Sequence, residues 1–394
     1  MRYNGNYIEV ECSRNNKSGQ PVCGDCFMSH KYKEGGRIIC VLSDGLGSGI
    51  KASVLSTMTA SMAINFSSMN EDILSAAETI INTLPIDSVR KVAYSTFCIC
   101  EIDIFGNVRI VEYETPSFCL WRDGRFVKVT KEKIPVMRDD MENTYLRVSS
   151  FTMYKEDRII FFSDGVSQSG MGSRQMPFGW EEGVEEFMAG ILRKTPYISA
   201  KDLSFKVVAK SQENDGYSPK DDTTCCVIYM RRPRNLLVCT GPPFDQKNDR
   251  QLLSRVKDFD GRKVICGGTT AQIISRESGL PLELDISTLD RNLPPASRME
   301  GVDLITEGIL TLSRLENLLS DTENAYKGDN GPADTLYRLL LDSDKVTFLV
   351  GTRVNNAHQD PSLPVELEIR RNVVKKIKTL LEDVYLKDVE INYI

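Results

Sequence analysis

Two segments of the chain run apolar for four or five residues and then end in the same three residues, Ser-Asp-Gly. One ends in Ser43-Asp44-Gly45 and the other in Ser163-Asp164-Gly165. An apolar strand places a carboxylate that follows it at the edge of a sheet. The glycine lets the backbone turn sharply and brings its own carbonyl close to whatever the carboxylate binds. The pattern therefore predicts two carboxylates at a sheet edge, although Asp-Gly after a strand is also an ordinary turn.

A third acidic segment has the opposite order, because Asp221-Asp222 directly precedes the strand formers of residues 223–230. In antiparallel pairing the start of one strand lies beside the end of its neighbour, so Asp44, Asp164 and Asp221 can meet on one rim. Like charges at such short range require a cation. Carboxylate oxygens favour Mg²⁺ or Mn²⁺, and two such ions would hold a shared water and neutralise a phosphoryl group.

Histidine and cysteine offer fewer routes to chemistry in this chain. The two histidines, His30 and His358, argue against sites built from histidine clusters, and a Ser-His-Asp triad would have to use one of them. Several of the eleven cysteines lie in apolar runs, where a thiol packs as a small hydrophobic group. Cys23 and Cys26 form a CxxC pair with no second pair at zinc-site spacing, so buried thiols are favoured over a metal or redox role.

Together these segments resemble the metal-dependent PPM serine/threonine phosphatases, and within them the bacterial SpoIIE-type branch. The resemblance covers about residues 5–232 and rests on motifs in the family's order: Gly24-Asp25, the glycine-rich residues 43–49, residues 114–118, residues 162–166 and residues 221–224. It implies an α+β fold with a central antiparallel β-sandwich flanked by helices. It also implies a binuclear Mn²⁺ or Mg²⁺ centre at one end of the sandwich.

The resemblance implies a role for each of five residues. Asp44 would bridge both metal ions, and the carbonyl of Gly45 would help to bind one of them. Asp164 and Asp221 would complete the shell of the other ion. Asp25 would hold metal-bound water. The carboxylates would thus act in catalysis through that water.

Three further features follow from the same resemblance. Asp222 would be an outer partner that orients its neighbour. Eukaryotic relatives hold the substrate phosphate with an arginine near the first motif, and Arg14 is the nearest candidate here. The predicted helices at residues 50–66 and 70–84 resemble an element whose position governs metal binding and activation.

The leading hypothesis is a metal-dependent phosphatase that hydrolyses phosphoserine or phosphothreonine by in-line attack of a metal-bound hydroxide. The resemblance implies a phosphorylated protein substrate in bacterial signalling, such as an anti-sigma-factor antagonist. The alternative is a non-catalytic scaffold with the phosphatase fold and a ligand-sensing C-terminal domain. Both a monomer and a homodimer are compatible with the sequence.

Charge and hydropathy narrow the remaining function classes. The chain has 394 residues and a net charge of −6, which argues against a protein that coats nucleic acid or a membrane surface. No apolar stretch approaches the ~20 residues needed to span a bilayer. The first ten residues lack the apolar run of a secretory signal, so we expect a cytoplasmic protein with neither nucleic acid nor membrane as a partner.

The basic, proline-containing residues 231–234 mark the expected domain boundary. They separate a phosphatase-like domain at residues 1–232 from a smaller α/β domain at residues 235–394. In the second domain, strands are predicted at residues 236–240, 263–266 and 346–350, with helices at residues 249–256, 271–276, 302–319 and 365–384. Gly267-Gly268-Thr269-Thr270 ends a strand and opens a helix. It is interpreted as a plain connection, with a nucleotide site as the alternative.

Overall fold

The computed structural model describes residues 2–3, 5–32, 36–69, 72–86, 93–103, 105–138, 144–285, 294–320, 331–353, 363–385 and 387–394. His358 and residue 70, where the second helix was expected to begin, lie outside these ranges. The chain divides into two compact units, Met1–Arg232 and Pro233–Ile394. No helix in the described ranges is long and apolar enough to cross a membrane.

The first unit contains two sheets in which all paired strands are antiparallel. The strands of the first sheet are, in spatial order, β1 (Arg2–Tyr3), β2 (Asn6–Asn15), β12 (Thr223–Arg231), β11 (Arg158–Phe162), β7 (Cys119–Arg122) and β8 (Arg125–Val127). Those of the second sheet are β3 (Asp25–Tyr32), β4 (Arg37–Gly45), β5 (Ser95–Ile102), β6 (Asn107–Tyr113), β10 (Tyr145–Thr152) and β9 (Glu132–Pro135).

The two sheets pack face to face, and helices cover their outer faces. The helices are α1 (Ile50–Ser68), α2 (Ile73–Thr83), α3 (Asp164–Ser167), α4 (Glu181–Lys194) and α5 (Ala200–Asn214). Residues of both sheets share the interior core, for example Leu42 and Phe161. Helices α1 and α2 pack on the second sheet, and α4 and α5 pack on the first. The unit is therefore an α+β sandwich flanked by helices, as predicted.

The apolar runs that predicted the strands reflect burial on both faces of each sheet. In β4, Ile39 and Val41 pack under α1 and α2, whereas Cys40 and Leu42 point into the sandwich interior. Successive side chains of a strand point to opposite faces, so a strand covered on both sides reads as a continuous apolar run. The Asp123-Gly124 pair, a sequence typical of tight hairpin turns, joins β7 to β8, and Arg122 pairs with Arg125 across that turn.

The second unit is built on a largely parallel sheet. Its strands are, in spatial order, β15 (Glu283–Leu284), β16 (Ser297–Met299), β17 (Val302–Thr306), β14 (Arg262–Cys266), β13 (Asn235–Thr240), β18 (Lys345–Val350) and β19 (Asp388–Tyr393). The five strands from β17 to β19 in this order are parallel, and β15 and β16 extend the sheet in antiparallel pairing. An α/β architecture is therefore present here, as predicted.

Helices cover both faces of this sheet. Helices α6 (Asp249–Lys257) and α7 (Gly268–Ser278) pack on one face, and α8 (Ile309–Ser320), α9 (Pro332–Leu341) and α10 (Leu363–Asp383) pack on the other. A short 3₁₀ helix, Gln246–Asn248, precedes α6. The predicted single helix at residues 302–319 is wrong, because its first part is strand β17. Gly308 separates this short, buried strand from α8.

Candidate metal centre

The hairpin of β3 and β4 brings the first two predicted carboxylates together. Asp25 opens β3, and Asp44 is the penultimate residue of β4, so the two stand directly opposite each other in the antiparallel register. The backbone N–H of Gly45 donates to the carbonyl of Gly24 at 3.2 Å and holds the two strand ends side by side. The first acidic motif and the glycine-rich motif thus meet at one end of the second sheet.

The first sheet supplies the other carboxylates. Asp164 follows β11 and begins α3, whereas Asp221 and Asp222 directly precede β12. Strands β11 and β12 are antiparallel neighbours, and the N–H of Ser163 donates to the carbonyl of Thr224 at 3.0 Å. The end of one strand therefore lies beside the start of the next, which is the arrangement expected from the sequence.

The glycines of the two Ser-Asp-Gly motifs allow close packing. Neither Gly45 nor Gly165 has a positive φ, so neither position requires glycine for its backbone conformation. A Cβ at Gly45 would lie 2.1 Å from the carbonyl oxygen of Ala52 in α1. One at Gly165 would lie 2.1 Å from the carbonyl oxygen of Asp222. Both glycines are needed because another backbone segment passes directly against them.

The carboxylates from the two sheets act on one another. Burial raises the pKa of Asp44 well above its ordinary value, and the negative charges of Asp25, Asp164 and Asp221 raise it further. Burial also raises the pKa of Asp221, again with Asp164 contributing. Four carboxylates that lie in four separate stretches of sequence therefore share one electrostatic environment.

Asp25 is the most deeply buried member of this group. Its residue is 3% exposed, and neither carboxylate oxygen makes a hydrogen bond of good geometry within the described part of the chain. Burial is the main reason that its pKa rises to about 7, and the charges of Asp222 and Asp164 add to the rise, although the nearby hydroxyls of Thr224 and Ser163 lower the pKa. An unpartnered buried carboxylate is costly, and a cation is the group that would satisfy it.

Asp222 is also 3% exposed, and its charge contributes to the raised pKa of Asp25. Its Oδ1 accepts the backbone N–H of Lys17 at 3.0 Å, but its Oδ2 has no hydrogen-bond partner in the described ranges. That free oxygen would lie 2.8 Å from a Cβ built on Gly24. The buried, unsatisfied oxygens of Asp25 and Asp222 fit a hard divalent cation.

The group does not form a closed ligand cage. Within the described ranges, no set of three or more His, Cys, Asp or Glu side chains has an arrangement that could already hold a metal ion. Like-charged carboxylates repel one another, which opposes such a close arrangement. The predicted ligands are therefore gathered at one rim, and their assignment to individual ions stays a prediction.

Two neighbours of the carboxylates were not predicted from the sequence. The ammonium group of Lys17 lies 3.9 Å from Asp221, and Gln168 donates from Nε2 to Asp164 Oδ2 at 3.0 Å. Gln168 could have been found by its spacing of four residues from Asp164 on α3, whereas Lys17 reaches the group only through tertiary folding. Arg14 is exposed on β2 and is paired with Thr224, two residues beyond Asp222.

The cysteines are mostly buried thiols. All eleven are free thiols, and ten of them are buried, which confirms their interpretation as small packing groups. Burial raises the pKa of Cys23 to about 12 and also raises that of Cys26. Protonated thiols are poor nucleophiles, which is consistent with the packing role predicted for the CxxC pair.

The sequence profile of the family described as "Stage II sporulation protein E (SpoIIE)" matches residues 34–231. The chain belongs to the SpoIIE family. The match includes the glycine-rich motif, Asp164 and Asp221, and ends at the last residue of β12. It confirms the resemblance to the SpoIIE-type branch of the PPM phosphatases that the sequence motifs indicated.

Three solved structures illustrate the likeness of this SpoIIE-family protein to known phosphatases. The PP2C phosphatase domain of SpoIIE from Bacillus subtilis, with a fragment of its regulatory domain, is 19% identical with a TM-score of 0.46; the alignment covers 57% of this chain and 63% of that one. The RsbU and RsbW domains of a Mycobacterium tuberculosis protein are 18% identical with a TM-score of 0.46, and the alignment covers 64% of this chain and 67% of that one. The serine/threonine phosphatase of S. agalactiae is 14% identical with a TM-score of 0.42, and the alignment covers 57% of this chain and 99% of that one.

The chain therefore spans less than two thirds of the B. subtilis structure. A comparison with curated protein sequences gives no match.

Proposed function

We propose that the first unit is a Mn²⁺- or Mg²⁺-dependent phosphatase that removes phosphate from phosphoserine or phosphothreonine in a protein. The observation that carries this proposal is the convergence of Asp25, Asp44, Asp164 and Asp221 from two sheets onto one rim. The burial of Asp25 adds to it, because a buried carboxylate whose oxygens make no hydrogen bond of good geometry is retained at a cost to stability. Membership of the SpoIIE family supports the same activity.

Each carboxylate has a proposed task in that centre. Asp44 is the carboxylate whose pKa burial and the charges of the other three raise, and it would bridge two ions, with the carbonyl of Gly45 beside it. Asp164 and Asp221 would bind the second ion, and Asp25 would hold and orient water. When bound, a pair of such ions supplies a nucleophile derived from solvent and neutralises the oxygens of the transferred phosphoryl group.

Two cationic side chains near the rim suit a phosphorylated substrate. Lys17 lies beside Asp221, and Arg14 is exposed on the adjacent strand. A guanidinium group can bind a phosphate through two parallel hydrogen bonds, so we assign Arg14 to substrate binding rather than to chemistry. The proposed substrate is a phosphorylated signalling protein of bacteria, with an anti-sigma-factor antagonist as the first candidate to test.

The test is turnover of p-nitrophenyl phosphate and of phosphoserine peptides with added Mn²⁺. We expect Asp44→Asn and Asp164→Asn to lower turnover by more than the ~10–100-fold that is typical of lost outer-sphere partners. Asp123→Asn is the matched control, because Asp123 is exposed in the β7–β8 turn at φ 50°, a conformation that asparagine tolerates well. Full turnover by both site variants would refute the assignment of the centre.

Calorimetric titration with Mn²⁺, combined with the turnover assay, separates this enzyme from a non-catalytic scaffold. The proposed enzyme binds two ions, and Asp44→Asn removes at least one of them. A scaffold need bind no metal. Metal binding without turnover of any phosphopeptide would favour the scaffold.

A further inference from the structure

The carboxyl edge of the parallel sheet in the second unit has a feature that the proposed phosphatase does not use. Helix α7 follows β14 through Gly267, which has φ +133° and caps the helix without a side-chain hydrogen bond. The first N–H groups of a helix have no acceptor within the helix, and the helix dipole places partial positive charge there. This end of α7 is therefore suited to an anion.

Thr270, in the first turn of α7, points to a ligand independently of the helix end. The residue is 1% exposed, and its hydroxyl has no hydrogen-bond partner within the described ranges. The N–H of Gly267 donates instead to the carbonyl of Thr306 at 2.8 Å. The hydroxyl of Thr270 turns back toward the helix start, 3.5 Å from where a Cβ on Gly267 would lie. A buried donor that faces a helix N-terminus without a partner is costly unless a bound group accepts it.

The two glycines leave this position open. A Cβ on Gly268 would meet no atom within 4 Å, and Gly268 is exposed. Gly308, just beyond the end of β17, lies close to Gly267, since its Cα would be 4.0 Å from a Cβ built there. A larger residue at Gly267 or Gly268 would extend into the space in front of the helix. The backbone N–H groups can therefore be approached closely.

The order of the strands favours a ligand at this edge. In open α/β sheets ligands bind outside the carboxyl ends of the strands, commonly where the strand order reverses. That reversal lies between β13 and β18, but the protein's own backbone fills it. A Cβ on Gly351 would lie 2.1 Å from the carbonyl oxygen of Pro242, and the N–H of Arg353 donates to that same oxygen at 3.2 Å. The open position lies on the next strand, at the end of β14.

Glu307 limits what kind of anion can bind. It is exposed beside this position, and its Oε2 accepts the N–H of Gly308 at 2.9 Å. A carboxylate repels any phosphate near it but accepts a hydrogen bond from a hydroxyl group, so a ligand that places a hydroxyl group beside Glu307 offsets that repulsion. A phosphate ester that also carries hydroxyl groups satisfies both the helix end and Glu307.

We propose that Gly267, Gly268 and Thr270 form a binding site for the phosphate group of a small sugar phosphate. The carboxylate of Glu307 accepts a hydrogen bond from one of the sugar hydroxyl groups. The probe is ribose 5-phosphate, titrated calorimetrically into the full chain in the presence of a metal chelator. Inorganic phosphate and adenosine monophosphate distinguish the phosphate group from the sugar and the base. Ribose without phosphate should not bind, and inorganic phosphate should bind more weakly than the ester.

Two pairs of variants test the residues. Thr270→Val should weaken binding of ribose 5-phosphate by about tenfold, the effect of one hydrogen bond to a charged group, whereas Thr270→Ser should retain it. Without ligand, Thr270→Val should unfold at a higher temperature, because it removes an unsatisfied buried hydroxyl. Gly268→Asp should abolish binding while the helix stays folded, since an acidic first turn suits the dipole, and Gly268→Asn should bind better than Gly268→Asp.

These binding experiments test the sugar phosphate site independently of whether the first unit is a phosphatase. Hydrogen exchange should show protection at the start of α7 on addition of ribose 5-phosphate, and the Asp44→Asn variant should bind the probe as the natural chain does. The proposal is overturned if neither phosphate ester binds at millimolar concentration. It is also overturned if Gly268→Asp and Thr270→Val bind as tightly as the natural chain, or if protection falls elsewhere.

Discussion

Replacing Asp25 by asparagine should have opposite effects on stability with and without metal. In the metal-free protein, burial raises the pKa of Asp25 from 3.8 to about 7. The folded state therefore holds this proton more tightly than the unfolded state. The stability that this proton confers is fully present below pH 3.8 and is lost as the pH rises toward about 7.

The size of the effect follows from that shift. A rise from 3.8 to about 7 is about three pH units, and each unit corresponds to ~1.4 kcal/mol, so the limit is roughly 4 kcal/mol. The charges of Asp164 and Asp222 also act on Asp25, so part of this energy depends on those two residues and the substitution should recover less than the limit. We expect Asp25→Asn to raise the free energy of unfolding of the metal-free protein by about 1–3 kcal/mol near pH 8 and to change it little near pH 4.

The assay uses the two tryptophans of the chain as reporters of the first unit. Trp121 and Trp180 are 5% and 6% exposed and both belong to that unit, so their fluorescence in a urea titration follows its unfolding. Titrations in chelator at about pH 4 and about pH 8 give the pH dependence. Repeating them with Mn²⁺ should reverse the order, because the asparagine variant loses an anionic ligand.

Asp123→Asn again serves as the control and should follow the natural protein at both pH values. If Asp25→Asn and the natural protein have the same metal-free stability near pH 8, Asp25 is not held as an unsatisfied buried carboxylate. If Mn²⁺ stabilises both proteins equally, Asp25 does not contribute to metal binding.

Three other outcomes follow from the structure. Gly165→Ala should lower turnover, and it should lower the free energy of unfolding by ~1–3 kcal/mol, because its Cβ would lie 2.1 Å from the carbonyl oxygen of Asp222. Gly190→Ala, exposed in α4 with open space around it, should instead raise the free energy of unfolding by up to ~1 kcal/mol. A thiol reagent should modify Cys12 first, because the other ten thiols are buried, and equal rates for all eleven would contradict that burial. Glu112→Gln should lower the free energy of unfolding by ~3 kcal/mol, since it breaks a buried ion pair, and an unchanged urea midpoint would show that the pair is dispensable.

The sequence predicted those elements whose pattern reflects local physics. Strands such as β4 and β11 are covered on both faces, so their apolar runs were unambiguous, and the turn after β7 has the Asp-Gly pair that its positive φ values require. Strand β3 was missed. It is an edge strand of the second sheet, and its outer half is exposed and polar, so it carries no apolar run.

Short buried segments were harder to assign. Strand β17 was read as part of a helix because its five residues, followed by the start of α8, imitate one longer apolar periodicity. Gly308 at the junction was the signal that should have divided them. Length, rather than composition, distinguishes a short buried strand from the first turn of a buried helix.

The site could be predicted in its carboxylates but not in its supporting groups. Asp44 and Asp164 stand in motifs, and the antiparallel rule placed Asp221 beside them. Lys17 and the depth of Asp222 depend on how residues far apart in sequence fold together, and no local pattern encodes them. The close packing at the two glycines could not be predicted for the same reason, since the segments that contact Gly45 and Gly165 come from other elements.

The division of the acidic rim between two layers has a mechanical consequence. Asp25 and Asp44 travel with one sheet, and Asp164 and Asp221 travel with the other, so a small slide of one layer across its partner alters every spacing between the pairs. Such a slide breaks no backbone hydrogen bond of either sheet, because those bonds join strands within one sheet. The distances across the rim therefore depend on how the two sheets are aligned. Remote substitutions in the shared interior, or hydrostatic pressure, should change these distances well before the sandwich unfolds.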